Sequence, residues 1–203
     1  MQEADRISLV CEFLTKDDNT TAQALLQAVY PFTPPISSQG NTNLSTVMTH
    51  IFLYDGAIDR YTGQRLVYTP ALRVLSLRLG MIMPFEEHWT REVTHQAYWD
   101  LAPTIDHKIP KVRGGSDELD NLVCCSQLTN SQKGSWTLEE MGWTLRERGN
   151  LREWNGLLVW FMKYYRNHSD LQSVDYFKSW YRAAQSAVEK EAPWIYEVNP
   201  ELR

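Results

Sequence analysis

One short segment, residues 104–134, constrains the fold of this chain more than any other part of the sequence. Its apolar residues predict a short strand bracketed by Ile105 and Ile109, and a second strand over residues 119–126. Gly114-Gly115 opens a polar loop between the two strands, and the residues that follow the second strand have a helical pattern. The segment therefore predicts a strand, a loop, a returning strand and a helix in close succession.

Apolar residues at helical spacing lie on both sides of this segment. They predict helices in the first thirty residues, at 71–79, from Leu151 to Phe161 and from Val174 to Val188. Thr137-Leu138-Glu139-Glu140 has the pattern of a capping box, which starts a further helix. With a few strands among these helices, the predicted fold class is α+β.

The residues upstream of the segment predict a β-hairpin. Ile51–Tyr54 is a β-prone run, and the turn dipeptides Asp55-Gly56 and Thr62-Gly63 delimit a hairpin over residues 55–66. Prolines at 31, 34 and 35, followed by a polar run, predict a linker before it. We therefore divide the chain into an N-terminal helical appendage with its linker (1–45), a core (46–148) and C-terminal helices that pack on that core (149–203).

Composition excludes several classes of protein. The 203 residues, 43% hydrophobic and 22% charged, are typical of a globular chain, and their apolar stretches are too short to cross a membrane. The first residues lack the pattern of a secretory signal, and the three cysteines cannot form a disulfide framework, so we expect a cytoplasmic protein with reduced thiols. A net charge of −5 argues against a protein that coats nucleic acid by bulk electrostatics.

The chemistry of the segment centres on Asp106 and His107. Adjacent side chains on a strand point to opposite faces of the sheet. Asp106 and His107 can therefore act on the same substrate atom only if something else, such as a bound metal ion, links them to it. Asp106 is a hard anionic oxygen ligand and Asn130 a neutral one, and such a pair suits Mg²⁺ or Mn²⁺. His107 is better suited to act as a base, because imidazole titrates near neutral pH. A base beside a hard metal ion indicates metal-assisted phosphodiester hydrolysis.

The segment resembles the HNH (ββα-metal) nuclease family. The resemblance is carried by Asp106-His107-Lys108-Ile109-Pro110, Gly114-Gly115, Asn121-Leu122 and Asn130-Ser131-Gln132-Lys133, in the family's order and approximate spacing. It implies that residues 46–148 are an HNH nuclease core in which His107 activates the attacking water and Asp106 and Asn130 hold the metal. It also implies that Asn121 braces the loop and that Lys133 lies near the substrate backbone.

The chain differs from many members of the family at the structural zinc site. Many members frame this core with two Cys-x-x-Cys pairs, whereas this chain has Tyr61-Thr62-Gly63 upstream and only Cys124-Cys125 downstream. We therefore expect no structural zinc, and expect aromatic packing to stabilise the core instead. Cys124 and Cys125 are expected to be small buried hydrophobes on opposite faces of their strand, while His88 and His95 are expected to be packing or surface histidines.

These features predict a divalent-metal-dependent DNA endonuclease, in restriction, defence, or a mobile-element or phage context. The resemblance to the HNH family implies products with 5′-phosphate and 3′-hydroxyl ends. Lys133 and Arg113 are the candidates for substrate contact, although surface cations are by default only solvated. The aromatic C-terminal helices are candidates for a homodimer surface. One alternative stays open, a nuclease-like module that binds nucleic acid or a protein without cutting. A toxin-type nuclease is a weaker alternative, since proteins of that class tend to be basic and this chain is acidic.

Overall fold

A computed structural model of the chain describes residues 3–29, 45–87, 89–90 and 92–203. The helices in these residues are α1 Glu3–Thr15, α2 Asn19–Val29, α3 Ser45–Tyr54, α4 Thr69–Leu79, α5 Gln96–Leu101, α6 Gln127–Lys133, α7 Leu138–Met141, α8 Leu158–Asn167, α9 Ser169–Gln172, α10 Asp175–Glu191 and α11 Trp194–Val198. The strands are β1 Pro103–His107 and β2 Leu122–Ser126, which pair antiparallel. Helices with one small antiparallel sheet confirm the predicted α+β class.

The N-terminal helices belong to the main hydrophobic core. The predicted apolar face of α1, which includes Ile7 and Leu14, is buried, and so are Ala22 and Leu26 of α2. These side chains lie in the same apolar cluster as α4, α8 and α10. The first two helices are therefore integrated with the rest of the fold. The proline-rich linker predicted after them, like His88, lies outside the described residues.

The strand predicted at Ile51–Tyr54 is wrong, because these residues form the last part of α3. Ile51, Phe52 and Leu53 are all nearly inaccessible to solvent, since α3 packs against α10 on one side and the sheet on the other. A short run that is buried all round has no periodicity that separates a strand from a helix. The predicted hairpin is correspondingly reduced to a tight loop with one bridge, between Ile58 and Arg65.

The helix predicted from Leu151 begins only at Leu158. Gly156 and Leu157 both have positive φ angles, 67° and 61°, which no residue inside a helix adopts. A side chain at Gly156 would overlap the Phe52 ring, because a Cβ at this position would lie 2.1 Å from Phe52 Cζ. Packing on α3 thus forces a turn where the apolar pattern alone suggests a continuing helix.

Other sequence predictions are confirmed. The helices at 71–79 and 174–188 are present as α4 and α10, and the capping box of Thr137 and Glu140 starts α7. Both cysteines of β2 are buried on opposite faces, Cys124 in the main core and Cys125 in a small cluster with Tyr61 and Val123. None of the described helices is long and apolar enough to span a bilayer.

Candidate active site

The two strands and α6 bring the residues of segment 104–134 together. β1 and β2 pair with His107 opposite Leu122 and Asp106 opposite Val123, so the Asp-His pair lies at the open end of the two-stranded sheet. α6 follows β2 without a linker, because the Ser126 hydroxyl accepts a hydrogen bond from the Thr129 amide and caps the helix. α6 then packs back on β1. A strand, a loop, a strand and a helix are thus arranged as the sequence predicts.

Asp106 is buried in a polar network. Its Oδ2 accepts a hydrogen bond from the Tyr61 hydroxyl at 2.5 Å and lies 2.8 Å from the Lys133 ammonium nitrogen. Burial, and then the hydrogen bond to Asp106, raise the pKa of Tyr61 well above its usual value, so the phenol stays a neutral donor. Oδ1 has no hydrogen-bond partner among the described residues. One carboxylate oxygen is therefore held by protein groups, whereas the other has no such partner among the described residues.

Lys133 is not placed for the substrate contact that the resemblance implies. Its side chain is fully buried, with the ammonium group between Asp106 Oδ2 and the His107 carbonyl oxygen, to which it donates at 2.7 Å. Burial of an ammonium group requires such partners, because desolvation of an unpaired charge is very unfavourable. Lys133 therefore ties α6 to the end of β1 and is not available to a DNA backbone.

His107 is oriented by an acid that sequence reasoning missed. Its Nε2 lies 2.8 Å from Asp117 Oδ1, and Lys111 Nζ lies 2.6 Å from the other oxygen of that carboxylate. The hydrogen bonds from Lys111 and then from His107 lower the pKa of Asp117, which keeps the carboxylate ionised. An ionised carboxylate can only accept, so Nε2–H is the donor of this contact, which fixes the orientation of the ring. The imidazole side chain is a quarter exposed.

Asn121 holds the loop between the strands. Its Oδ1 accepts from the Ile109 amide at 2.9 Å, and its Nδ2 donates to the carbonyl oxygens of Ile109 at 3.1 Å and Ser116 at 2.8 Å. Gly115 packs against this side chain, and a Cβ there would lie 1.7 Å from the Ile109 carbonyl oxygen. Asn121 is 7% exposed, so its role is to position the loop that carries Asp117.

Asn130 lies on α6, the helix that packs on the strand of Asp106. Its Nδ2 faces the Ile105 carbonyl oxygen at 3.5 Å, which leaves the amide oxygen without a partner among the described residues. Asp106 and Asn130 thus each have one oxygen without a protein partner, a carboxylate and an amide oxygen, and both are hard donors. Mg²⁺ commonly uses one or two protein oxygens and completes its shell with water and phosphate, so this set fits Mg²⁺ or Mn²⁺. No group of three His, Cys, Asp or Glu side chains gathers for a metal within the described part of the chain.

Arg113 lies on the exposed side of the loop. Its guanidinium group pairs with Glu140 at 2.6 Å and lies 5.7 Å from the centre of the exposed Trp136 ring. The partner shields part of its charge, but 39% of the side chain is accessible. Arg113 is therefore available for the substrate contact that the sequence suggests.

Two buried aspartates, Asp55 and Asp59, stabilise β2 from the loop that follows α3. Asp55 Oδ2 accepts from the Cys124 amide at 2.8 Å, and Asp59 Oδ2 accepts from the Ser126 amide at 2.9 Å. Arg60 neutralises Asp55 through a direct ion pair. Tyr61 and Trp143 add ring packing at 5.4 Å between centroids. The sequence suggests only the aromatic part of this support.

The comparisons with known proteins add no identification. No family model, no curated protein and no solved structure matches this chain. The assignment of a function consequently depends on the residues and on their geometry.

Proposed function

We propose that this chain is a divalent-metal-dependent DNA endonuclease with an HNH (ββα-metal) core. The observation that carries the proposal is the Asp117–His107 pair at the end of β1, with Asp106 preceding His107 on that strand and Asn130 on the helix that packs on it. An oriented base combined with hard oxygen ligands suits metal-assisted hydrolysis of a phosphodiester. Asp106, His107 and Asn130 belong to the motif that resembles the HNH family, whereas Asp117 lies outside it.

His107 acts as the general base in this proposal. Asp117 accepts a hydrogen bond from Nε2–H, which keeps its proton, so Nδ1 takes a proton from the attacking water and the imidazolium that forms is stabilised by the carboxylate. Asn121 keeps the loop, and with it Asp117, in register with His107. The water attacks phosphorus in line with the leaving 3′-oxygen.

Asp106 and Asn130 would hold Mg²⁺ or Mn²⁺. When bound, the ion stabilises negative charge on the phosphate and on the leaving oxygen. Tyr61 and Lys133 fix the orientation of Asp106 by holding Oδ2, so that Oδ1 faces the site. Arg113 is the candidate for a contact with the DNA backbone outside the reacting phosphate.

A plasmid-nicking assay tests this function. The purified chain is incubated with supercoiled plasmid in Mg²⁺, in Mn²⁺ and in EDTA, and His107→Ala protein from a matched preparation controls for contaminating nucleases. We expect open-circular or linear product with either metal and none in EDTA. Absence of product with both metals, while the chain still retards DNA on a gel, would favour the non-cleaving binding module.

Chelation should separate catalysis from folding. The buried carboxylates and aromatic rings around β2 stabilise the core, so the metal contributes little to stability. We expect EDTA to stop cleavage while it shifts the melting temperature by less than about 2 °C, which for a domain of this size is below ~1 kcal/mol. We also expect elemental analysis to find no stoichiometric zinc. A melting temperature that falls by ten degrees or more, or one tightly held zinc per chain, would contradict this prediction.

A further inference from the structure

A surface cavity of about 380 Å³ lies apart from segment 104–134. It is formed where the end of α3 meets the residues that precede α8 and the beginning of α11, and its lining includes Tyr54, Arg148, Arg152, Glu191 and Trp194. The proposed endonuclease mechanism uses none of these residues. Two arginines in one cavity suggest that it takes an anion.

Both arginines lie over aromatic rings. The Arg148 guanidinium lies 3.6 Å from the centre of the Tyr54 ring, and the Arg152 guanidinium lies 4.4 Å from the centre of the Trp194 ring. These cation–π contacts restrict where each guanidinium lies while they use none of its N–H donors. The backbone between them is also ordered, since the Asn150 side chain accepts a hydrogen bond from the Arg152 amide at 3.0 Å. The cavity therefore presents two preoriented donors.

The positive charge of these arginines is poorly neutralised within the protein. Asp55 lies 3.5 Å from Arg148 Nε, but that carboxylate already binds Arg60 and the Cys124 amide. No carboxylate of the described residues lies within ion-pair distance of the Arg152 guanidinium. Glu191 is the acid that lines the cavity, and it lies 3.4 Å from Lys190 Nζ and 3.5 Å from His50 Nδ1. The described groups at the cavity thus leave an excess of positive charge.

We propose that this cavity binds a phosphate group. The planar guanidinium fork matches two phosphate oxygens at once, and two forks suit a group that carries up to two negative charges. The phosphate belongs either to a polynucleotide backbone or to a free nucleotide or phosphate ion. The backbone source rests on the proposed endonuclease function, whereas phosphate binding itself does not depend on it.

Binding measurements on the full chain test this proposal. Inorganic phosphate and a 5′-mononucleotide are titrated by calorimetry, and a fluorescein-labelled duplex is titrated by anisotropy at several salt concentrations, all in EDTA so that no cleavage occurs. The variants are Arg152→Gln and Arg148→Gln/Arg152→Gln. Arg182→Gln is the matched control, because Arg182 is an exposed arginine of α10 outside the cavity. Thermal melts establish that each variant is folded.

The expected result is a loss of phosphate affinity of at least about 10-fold in Arg152→Gln, the effect of one charged hydrogen-bonding group, and little change in Arg182→Gln. If the source is a polynucleotide backbone, the slope of log K against log salt for the duplex also falls by about 1 relative to the control. If Arg152→Gln lowers the affinity only for the phosphate ion or the mononucleotide, the phosphate group belongs to a small ligand. Either pattern supports the site.

Equal affinities of the double variant Arg148→Gln/Arg152→Gln and of Arg182→Gln for every probe would overturn the proposal, and so would succinate binding as tightly as phosphate. The double variant keeps the test decisive if Arg148 alone sustains binding. These outcomes are independent of nicking. If the chain binds phosphate through Arg152 but does not cut DNA, the phosphate site stands and the proposed endonuclease function fails. If it cuts DNA but the arginine variants bind phosphate as the control does, the endonuclease function stands and the phosphate site fails.

Discussion

Replacement of His107 by alanine is expected to lower the rate of DNA cleavage at least ~10²-fold, the lower end of what a general base contributes. DNA affinity should change little, because proton transfer stabilises the transition state and not the bound ground state. The measurement is a single-turnover nicking rate beside a gel-shift titration in Ca²⁺ or EDTA. A rate within a few-fold of the wild type would eliminate His107 as the base.

An Asp117→Asn variant tests whether Asp117 contributes to catalysis by orienting His107. An amide in place of the carboxylate no longer fixes the Nε2 tautomer or stabilises the imidazolium, so the cleavage rate should fall by less than in His107→Ala but by clearly more than the assay error. Asp120→Asn is the matched control, since Asp120 is an exposed acid in the same loop region. If Asp117→Asn and Asp120→Asn cut equally well, the observed His107–Asp117 contact has no catalytic role.

Replacement of Asp106 by alanine is expected to lower the free energy of unfolding by ~3–5 kcal/mol, because it leaves the buried Lys133 ammonium without its counter-charge. The double variant Asp106→Ala/Lys133→Met should recover most of that loss, since it removes both charges together. Urea denaturation measures both effects. Asp117→Ala, which removes a largely exposed acid, is the control and should leave the urea midpoint almost unchanged.

This instability affects how the metal role of Asp106 is examined. An alanine variant that loses cleavage would not distinguish a lost ligand from a lost fold. Asp106→Asn keeps an oxygen that can accept from Tyr61 and Lys133, but it also removes the counter-charge of Lys133, so its Mg²⁺ titration is interpreted together with its own urea midpoint. If Asp106→Ala proves as stable as Asp117→Ala, the buried pair contributes nothing measurable to folding.

The sequence predicts the local order of segment 104–134 well because short-range signals determine it. The glycine pair, the continuous apolar run of β2 and the polar cap at Ser126 act over a few residues. Asn121 is likewise recognisable from its place after the loop. Residues whose roles depend on contacts distant in sequence were not predictable in this way. Tyr61 reaches Asp106 across 45 positions, and Asp55 reaches Cys124 across 69.

The same distinction explains the incorrect predictions. Lys133 resembles a substrate-binding lysine in its motif, but the burial of its side chain depends on how α6 packs against β1. Ile51–Tyr54 is β-prone as an isolated tetrapeptide, yet packing against α10 and the sheet favours a helix. Asp117 could have been suspected, because it is an acid in a glycine loop ten residues after His107. Its contact with the imidazole still required the folded loop.

The carboxylates of Asp55 and Asp59 have a consequence for how this chain associates with others. A two-stranded sheet normally exposes backbone N–H groups along its edges, and such edges recruit further strands from other molecules. Here the amides of Cys124 and Ser126 are already bonded to the two aspartates, and the Cys124 carbonyl oxygen accepts from the Arg60 amide. The outer side of β2 therefore has no free template for intermolecular β-pairing, which protects the chain from edge-to-edge aggregation without a third strand.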